Sequence, residues 1–137
     1  MARETAEIPA AAERLLARTD VFATIANRLE RARPRIVVFC GRGSSGHVGV
    51  YLRYLFEARL GLLASAAAPS VVTAYQRSPD MHDCLFVVVS QSGRSPDIIT
   101  ATQMARKFGA LTLAIVNDES SPAAAASELV QHVIPFV

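Results

Sequence analysis

An α/β sandwich around a five-stranded parallel sheet is the fold this sequence predicts, and three observations carry the prediction. Short apolar runs recur through residues 35–137, mostly bounded by Gly, Pro, Ser, Asn or Asp, as expected of strands buried on both faces. Helix-length segments separate them, and such alternation closes into a parallel sheet with right-handed crossovers. Two polar loops rich in Ser and Gly follow two of the strands, at the carboxyl ends where open α/β sheets bind ligands.

In chain order, Ala6 to Ala17 and Val21 to Ala32 place apolar residues at intervals of three and four, the period of an amphipathic helix. Asp20 stands as the N-cap of the second helix and Pro34 stops it, so residues 1–34 read as an N-terminal helical segment. The predicted strands are Arg35 to Phe39, Leu62 to Ala66, Leu85 to Val89, Leu111 to Val116 and Val130 to Phe136. Between them, Ser45 to Leu60, Pro69 to Gln76, Pro96 to Phe108 and a short Pro122 to Leu129 read as helices. Residues 35–137 then form one domain, without internal repeat or linker. The flavodoxin-like strand order 2-1-3-4-5 sets strands one and three side by side, where connections depart to opposite faces. Those two strands carry the polar loops, so this order brings the loops together.

Composition narrows the function. A chain of 137 residues, 51% hydrophobic and 19% charged, can bury a real core and is not a disordered segment. A net charge of +2 with acids and bases interspersed offers no basic groove for nucleic acid. The longest apolar run, Leu60 to Ala68, is broken by Gly61 and Ser65 and is too short to span a bilayer. Met1-Ala2-Arg3-Glu4 lacks the apolar stretch of a signal peptide, so a cytoplasmic protein is expected. Cys40 and Cys84 sit among apolar neighbours with no close spacing and read as structural thiols. With His47, His82 and His132 far apart in sequence, no metal site is expected.

The second loop, Ser90-Gln91-Ser92-Gly93-Arg94-Ser95, offers three hydroxyls and an amide, with Gly93 letting the backbone turn close to a bound group. Ser95-Pro96-Asp97 reads as N-cap, N1 and N2 of the following helix. Its free N–H groups and positive dipole end would face the loop, an anion site that needs no lysine. The alternative is a polar turn whose serines only cap the helix, but three serines exceed what capping needs.

The first loop, Cys40-Gly41-Arg42-Gly43-Ser44-Ser45-Gly46-His47, contains Gly41-x-Gly43-x-x-Gly46, which matches the dinucleotide fingerprint. That fingerprint needs an acid about twenty residues on, at the end of the second strand. Here the stretch is Leu63-Ala64-Ser65-Ala66-Ala67-Ala68-Pro69-Ser70, without an acid, so no nicotinamide or other cofactor is expected. Arg42, Gly43, Ser44 and Ser45 remain as groups for a phosphate or sugar hydroxyl. Arg42 and Arg94 either add charge to the ligand or point to solvent or a partner subunit. His47 is either an acid–base group for opening a sugar ring or a residue that packs or caps near the loop.

These motifs together, with Tyr51-Leu52-Arg53-Tyr54-Leu55-Phe56-Glu57, Ala67-Ala68-Pro69-Ser70-Val71 and Val116-Asn117-Asp118-Glu119, resemble the SIS (sugar isomerase) domain over nearly the whole chain. The similar branch is that of SIS-type glucosamine-6-phosphate deaminases, related to the isomerase half of glucosamine-6-phosphate synthase. The resemblance implies a three-layer sandwich that binds a phosphorylated hexose or amino-hexose. Ser90, Gln91, Ser92 and Ser95 would hold the phosphate, and Ser44 or Ser45 would contact phosphate or sugar. Gly46 departs from the branch, which usually has Asp there. Enzymes of this branch carry two SIS domains, and the Glu, Lys and His proposed for ring opening and proton transfer lie in the second domain or tail. The expectation is therefore one SIS domain of a pair, either a fragment or truncated reading frame or a chain working as a homodimer or with a second SIS domain, its apolar Ile134-Pro135-Phe136-Val137 end open to association.

The function expected is phosphosugar binding, as half of an aldose–ketose isomerase or amino-sugar-phosphate deaminase. None of Glu57, Asp97, Asp118 and Glu119 is marked out as the catalytic base. The alternative is a non-catalytic sugar-phosphate sensor, since SIS domains also occur in regulators.

Overall fold

The computed structural model describes residues 2–77 and 79–133. Helices α1 (Ala2–Leu16) and α2 (Thr19–Ala32) come first, followed by β1 (Ile36–Cys40) and α3 (Ser44–Leu55), which runs into a π-helical turn (Phe56–Leu60). Then come β2 (Leu63–Ala66), α4 (Pro69–Thr73), β3 (Cys84–Ser90), α5 (Pro96–Lys107), β4 (Leu111–Val116), α6 (Pro122–Ala126) and β5 (Leu129–His132). All strand pairs are parallel, in the order β2-β1-β3-β4-β5 that the doubly wound reading predicts.

Alternation along the central strands divides the core into two layers. Val37, Phe39, Leu85, Val87, Leu111 and Leu113 face one way, against Ile25 and Leu29 of α2, Leu52 of α3 and Phe56. Phe39 and Phe56 meet edge to face with centroids 5.6 Å apart. A Cβ at Gly49 would lie 3.2 Å from Phe39 Cβ, so a bare backbone lets α3 sit close on β1. Cys40, Cys84, Phe86, Val88, Ala114 and Val116 face the other way, under Ile98, Ala101 and Ala105 of α5 and Ala123 and Ala124 of α6. Each large apolar side chain buried here contributes roughly 1.5–3 kcal/mol. Helices α2 and α3 thus cover one face of the sheet, and α5 and α6 the other.

Several elements differ from expectation, each for a local reason. β2 is not buried on both faces: it is the sheet edge, with Leu63 70% exposed. Asp20 does not cap α2. The amide of Arg18 bonds the Leu15 carbonyl and that of Phe22 bonds the Arg18 carbonyl, so the chain re-enters helix at Thr19 and Asp20 falls in its first turn. At the other end Arg33 adopts a left-handed conformation (φ 47°) just before Pro34. The helix expected to run to Leu60 widens into the π-helical turn at Phe56 and stops at Gly61, φ +63°. β1 begins one residue late and takes Cys40 into the strand. α4 ends at Thr73 and α6 at Ala126, where the Ser127 hydroxyl donates to the Ala123 carbonyl (2.9 Å) and frees Leu129 to open β5. The expected strand Val130 to Phe136 is seen as Leu129–His132, and residues 134–137 lie outside the described residues. Among the described residues, no helix is long and apolar enough to cross a membrane.

Candidate functional site

β1 pairs directly with β3, Cys40 opposite Val88, so the segments leaving both strands emerge at one end of the sheet. The first enters α3 on one face and the second enters α5 on the other. Such a divergence leaves a crevice. A polar cavity of about 250 Å³ lies in it, lined by Arg42, Ser44, Ser45, Ser90, Gln91, Ser92 and Ser95, with Val89 and Ile98 as its apolar part. The structure therefore brings together the site residues read from the sequence except Gly43, which is the N-cap of α3 at φ +55°, and neither Arg94 nor His47 lines the cavity. Val89 and Ile98 were not foreseen. Their signal was positional, as the apolar residues that flank the polar loop on its strand and its helix.

The second loop is held by its own serines and by its neighbours. Ser90 Oγ accepts the Gly93 amide (3.1 Å) and Ser92 Oγ accepts the Arg94 amide (3.3 Å). The Gly93 carbonyl accepts the Ala123 amide (3.0 Å) and the Gln91 carbonyl accepts the Asn117 amide (3.2 Å), tying the loop to the start of α6 and to the residue that follows β4. Gly93 is required twice over: its φ is +63°, and a Cβ there would stand 2.3 Å from Ser121 Oγ. Ser95 occupies the N-cap of α5 with Pro96 at the first helical position, as predicted, but its hydroxyl makes no capping bond. The first turn of α5 thus presents the N–H groups of Asp97 and Ile98 without helical carbonyls to take them.

In the first loop, a Cβ at Gly41 would lie 3.0 Å from the Ser45 carbonyl and 3.1 Å from that of Val89, so the loop crosses between α3 and β3 at backbone distance. The two arginines lie at the surface and are paired within the chain. Arg42 Nη1 is 2.9 Å from Asp97 Oδ2, joining the two loops, and Arg94 Nη2 is 2.9 Å from Asp118 Oδ2. The hydroxyl and amide of Ser120, with a smaller contribution from Arg94, hold the Asp118 carboxyl below the usual range. His47 is exposed on the first turn of α3 and does not line the cavity. The helix phase that turns Gly49 toward the sheet turns residue 47 outward.

None of the four acids considered as a base lines the cavity. Asp97 and Asp118 are paired to the two arginines, Glu57 accepts the Ala64 amide (3.3 Å), and Glu119 lies 3.3 Å from Arg18 and 3.5 Å from His132. Cys40 and Cys84 are free and buried, four residues out of register on neighbouring strands. Burial pushes their thiols up to about 12 and about 11. Among the described residues, no group of three or more His, Cys, Asp or Glu could hold a metal ion. A larger cavity of about 390 Å³ between β1, β2, α4 and α5 is mainly apolar and shares no residue with the crevice. It lacks the converging hydroxyls of the smaller one.

Sheet order, crevice and serine-lined loops define a doubly wound ligand-binding domain. The chain belongs to the SIS domain family, whose model matches residues 29–135. It is 33% identical over 99 residues to glutamine–fructose-6-phosphate aminotransferase (isomerizing) of Pseudomonas aeruginosa, a match that covers 72% of this chain and 16% of that enzyme. A protein from Silicibacter pomeroyi DSS-3, assigned as a phosphosugar isomerase, superposes with a TM-score of 0.92 at 40% identity, over 95% of this chain and 40% of that one. The Vibrio vulnificus NanR protein complexed with ManNAc-6P shares the fold, with a TM-score of 0.71 at 23% identity over 93% of this chain and 50% of that one. The chain spans about a sixth of the length of the curated relatives it matches.

Proposed function

We propose that this SIS domain binds a phosphorylated hexose or amino-hexose, as half of an aldose–ketose isomerase or amino-sugar-phosphate deaminase. The observation that carries the reading is the cavity whose polar lining consists of hydroxyl, amide and guanidinium groups from two loops, beside the first turn of α5. Ser90, Gln91, Ser92 and Ser95 hold the phosphate, and Ser44, Ser45 and Arg42 complete its surround. In such chemistry the phosphate is a remote handle, whose binding energy positions the carbon where a base removes a proton. No carboxylate or imidazole of the described residues lines the cavity, so its lining supplies the phosphate handle and not the base. The catalytic base comes from a second SIS domain, in the cytoplasm. Residues 35–137 are the binding unit and residues 1–34 a helical addition to it.

Calorimetric titration with glucosamine 6-phosphate, fructose 6-phosphate and their unphosphorylated parents, followed by product assay, tests the reading. Heat from the phosphorylated sugars alone is the expected result, and equal response to the parent sugars overturns it. Replacing Ser90 and Ser92 together by Ala should weaken binding by roughly 1.5–3 kcal/mol for each charge-assisted bond lost. Unchanged affinity in that double variant removes the phosphate assignment. The same cavity lining also favours a second reading, a sensor that binds sugar phosphate without converting it. Turnover by an assembly containing this chain, lost in Ser90→Ala, separates the enzyme from the sensor.

A further inference from the structure

The polar lining of the cavity consists of hydroxyl, amide and guanidinium groups, with no carboxylate among them. Ser90 and Ser92 each already accept a loop amide, which leaves each hydroxyl proton to give. The first-turn amides of α5 add further donors. The nearest carboxylate, Asp97, is taken by Arg42 at 2.9 Å, and Arg42 lines the cavity whereas Asp97 does not. The guanidinium, and not that carboxylate, is thus the charged group that the cavity meets. Resting on the phosphate reading above, we infer that the Arg42–Asp97 pair makes this site selective for the dianionic form of a phosphate monoester, by withholding the strong acceptor that a protonated phosphate oxygen requires.

A monoanionic phosphate carries one P–O–H, whose proton meets only neutral hydroxyl and amide oxygens in this lining, weaker acceptors than a carboxylate. The dianion presents acceptors only. Other charged or titratable groups near the loops leave this balance intact. Arg94 is turned to Asp118, the Cys40 thiol below is held neutral by burial, and His47 is exposed on α3. Without Arg42, the Asp97 carboxylate would face the anion, repelling the dianion and accepting the proton of the monoanion.

The test is titration of the intact chain with fructose 6-phosphate from pH 5 to pH 8, with fructose as control. Phosphate monoesters lose their second proton near pH ~6, so wild-type affinity is expected to rise about tenfold across this range. Arg42→Met should lose about tenfold or more at pH 8 and far less at pH 5, cancelling the rise. Adding Asp97→Asn to Arg42→Met should restore the rise, and His47→Gln should leave it intact. A flat wild-type profile, or an equal loss in Arg42→Met at both ends, overturns the inference while phosphate-dependent binding still stands. Binding that does not depend on phosphate at any pH removes both.

Discussion

A methyl group at residue 93 would fall 2.3 Å from Ser121 Oγ on a backbone already at φ +63°, whereas at Gly61, also at φ +63°, nothing lies within 4 Å. Gly61→Ala should therefore cost about 1 kcal/mol, the backbone term alone. Gly93→Ala should cost roughly 2–4 kcal/mol, because overpacking is added to it. Urea unfolding of the two variants gives the comparison, and equal midpoints would contradict it. The buried cysteines give a second prediction at this scale. With thiols raised from 9.0 to about 12 and about 11, the folded chain keeps protons that the unfolded chain releases sooner. Their contribution to stability is full below pH 9 and is lost as pH climbs through about 11 to 12. A disulfide reagent at pH 8 should accordingly label neither thiol until denaturant is added. That the serines line one cavity was legible in the sequence because they follow the apolar strands whose neighbouring positions the sheet order implies. The partners of Arg42 and Arg94 were not, since those ion pairs join residues 55 and 24 positions apart.

The order of elements was legible because β3 and β4 are continuous apolar runs and because Pro96 and Pro122 mark helix starts. What escaped was local geometry that periodicity does not encode. The π-helical turn at Phe56–Leu60 keeps an apolar pattern, Phe56 and Leu60, that reads equally as one more α-turn. The edge position of β2 follows from the sheet order, and its Leu-Ala-Ser-Ala sequence is too bland to announce it. Helix α1 has a helical pattern but little to pack against: Ile8 is 51% and Leu16 68% exposed. Deletion of residues 2–16 should lower unfolding stability by less than about 1 kcal/mol, as for other exposed surface. A larger loss in the denaturation midpoint would show that α1 belongs to the core.

Taken whole, the molecule leaves a stripe of apolar side chains on α3 uncovered: Val50, Tyr51 and Tyr54, the last 72% exposed. At a helical spacing of i, i+1 and i+4 these share one face, a surface suited to a second SIS domain. Sedimentation velocity should show concentration-dependent association that Tyr51→Ser with Tyr54→Ser reduces, and a monomer at every concentration would count against this face. The pairing of β1 with β3 has another consequence, for folding. Residues 42–45 and 90–95 meet only after that parallel, long-range pairing has formed, so the unfolded chain holds no partial cradle. A ligand in the crevice therefore binds the native state and not the unfolded ensemble. At a hundredfold excess over its dissociation constant it should add about 2.7 kcal/mol to the stability of the entire sheet. Thermal unfolding thus becomes a ligand screen, in which each candidate sugar phosphate is ranked by how far it shifts the melting of a domain whose binding loops are themselves a small part of its mass.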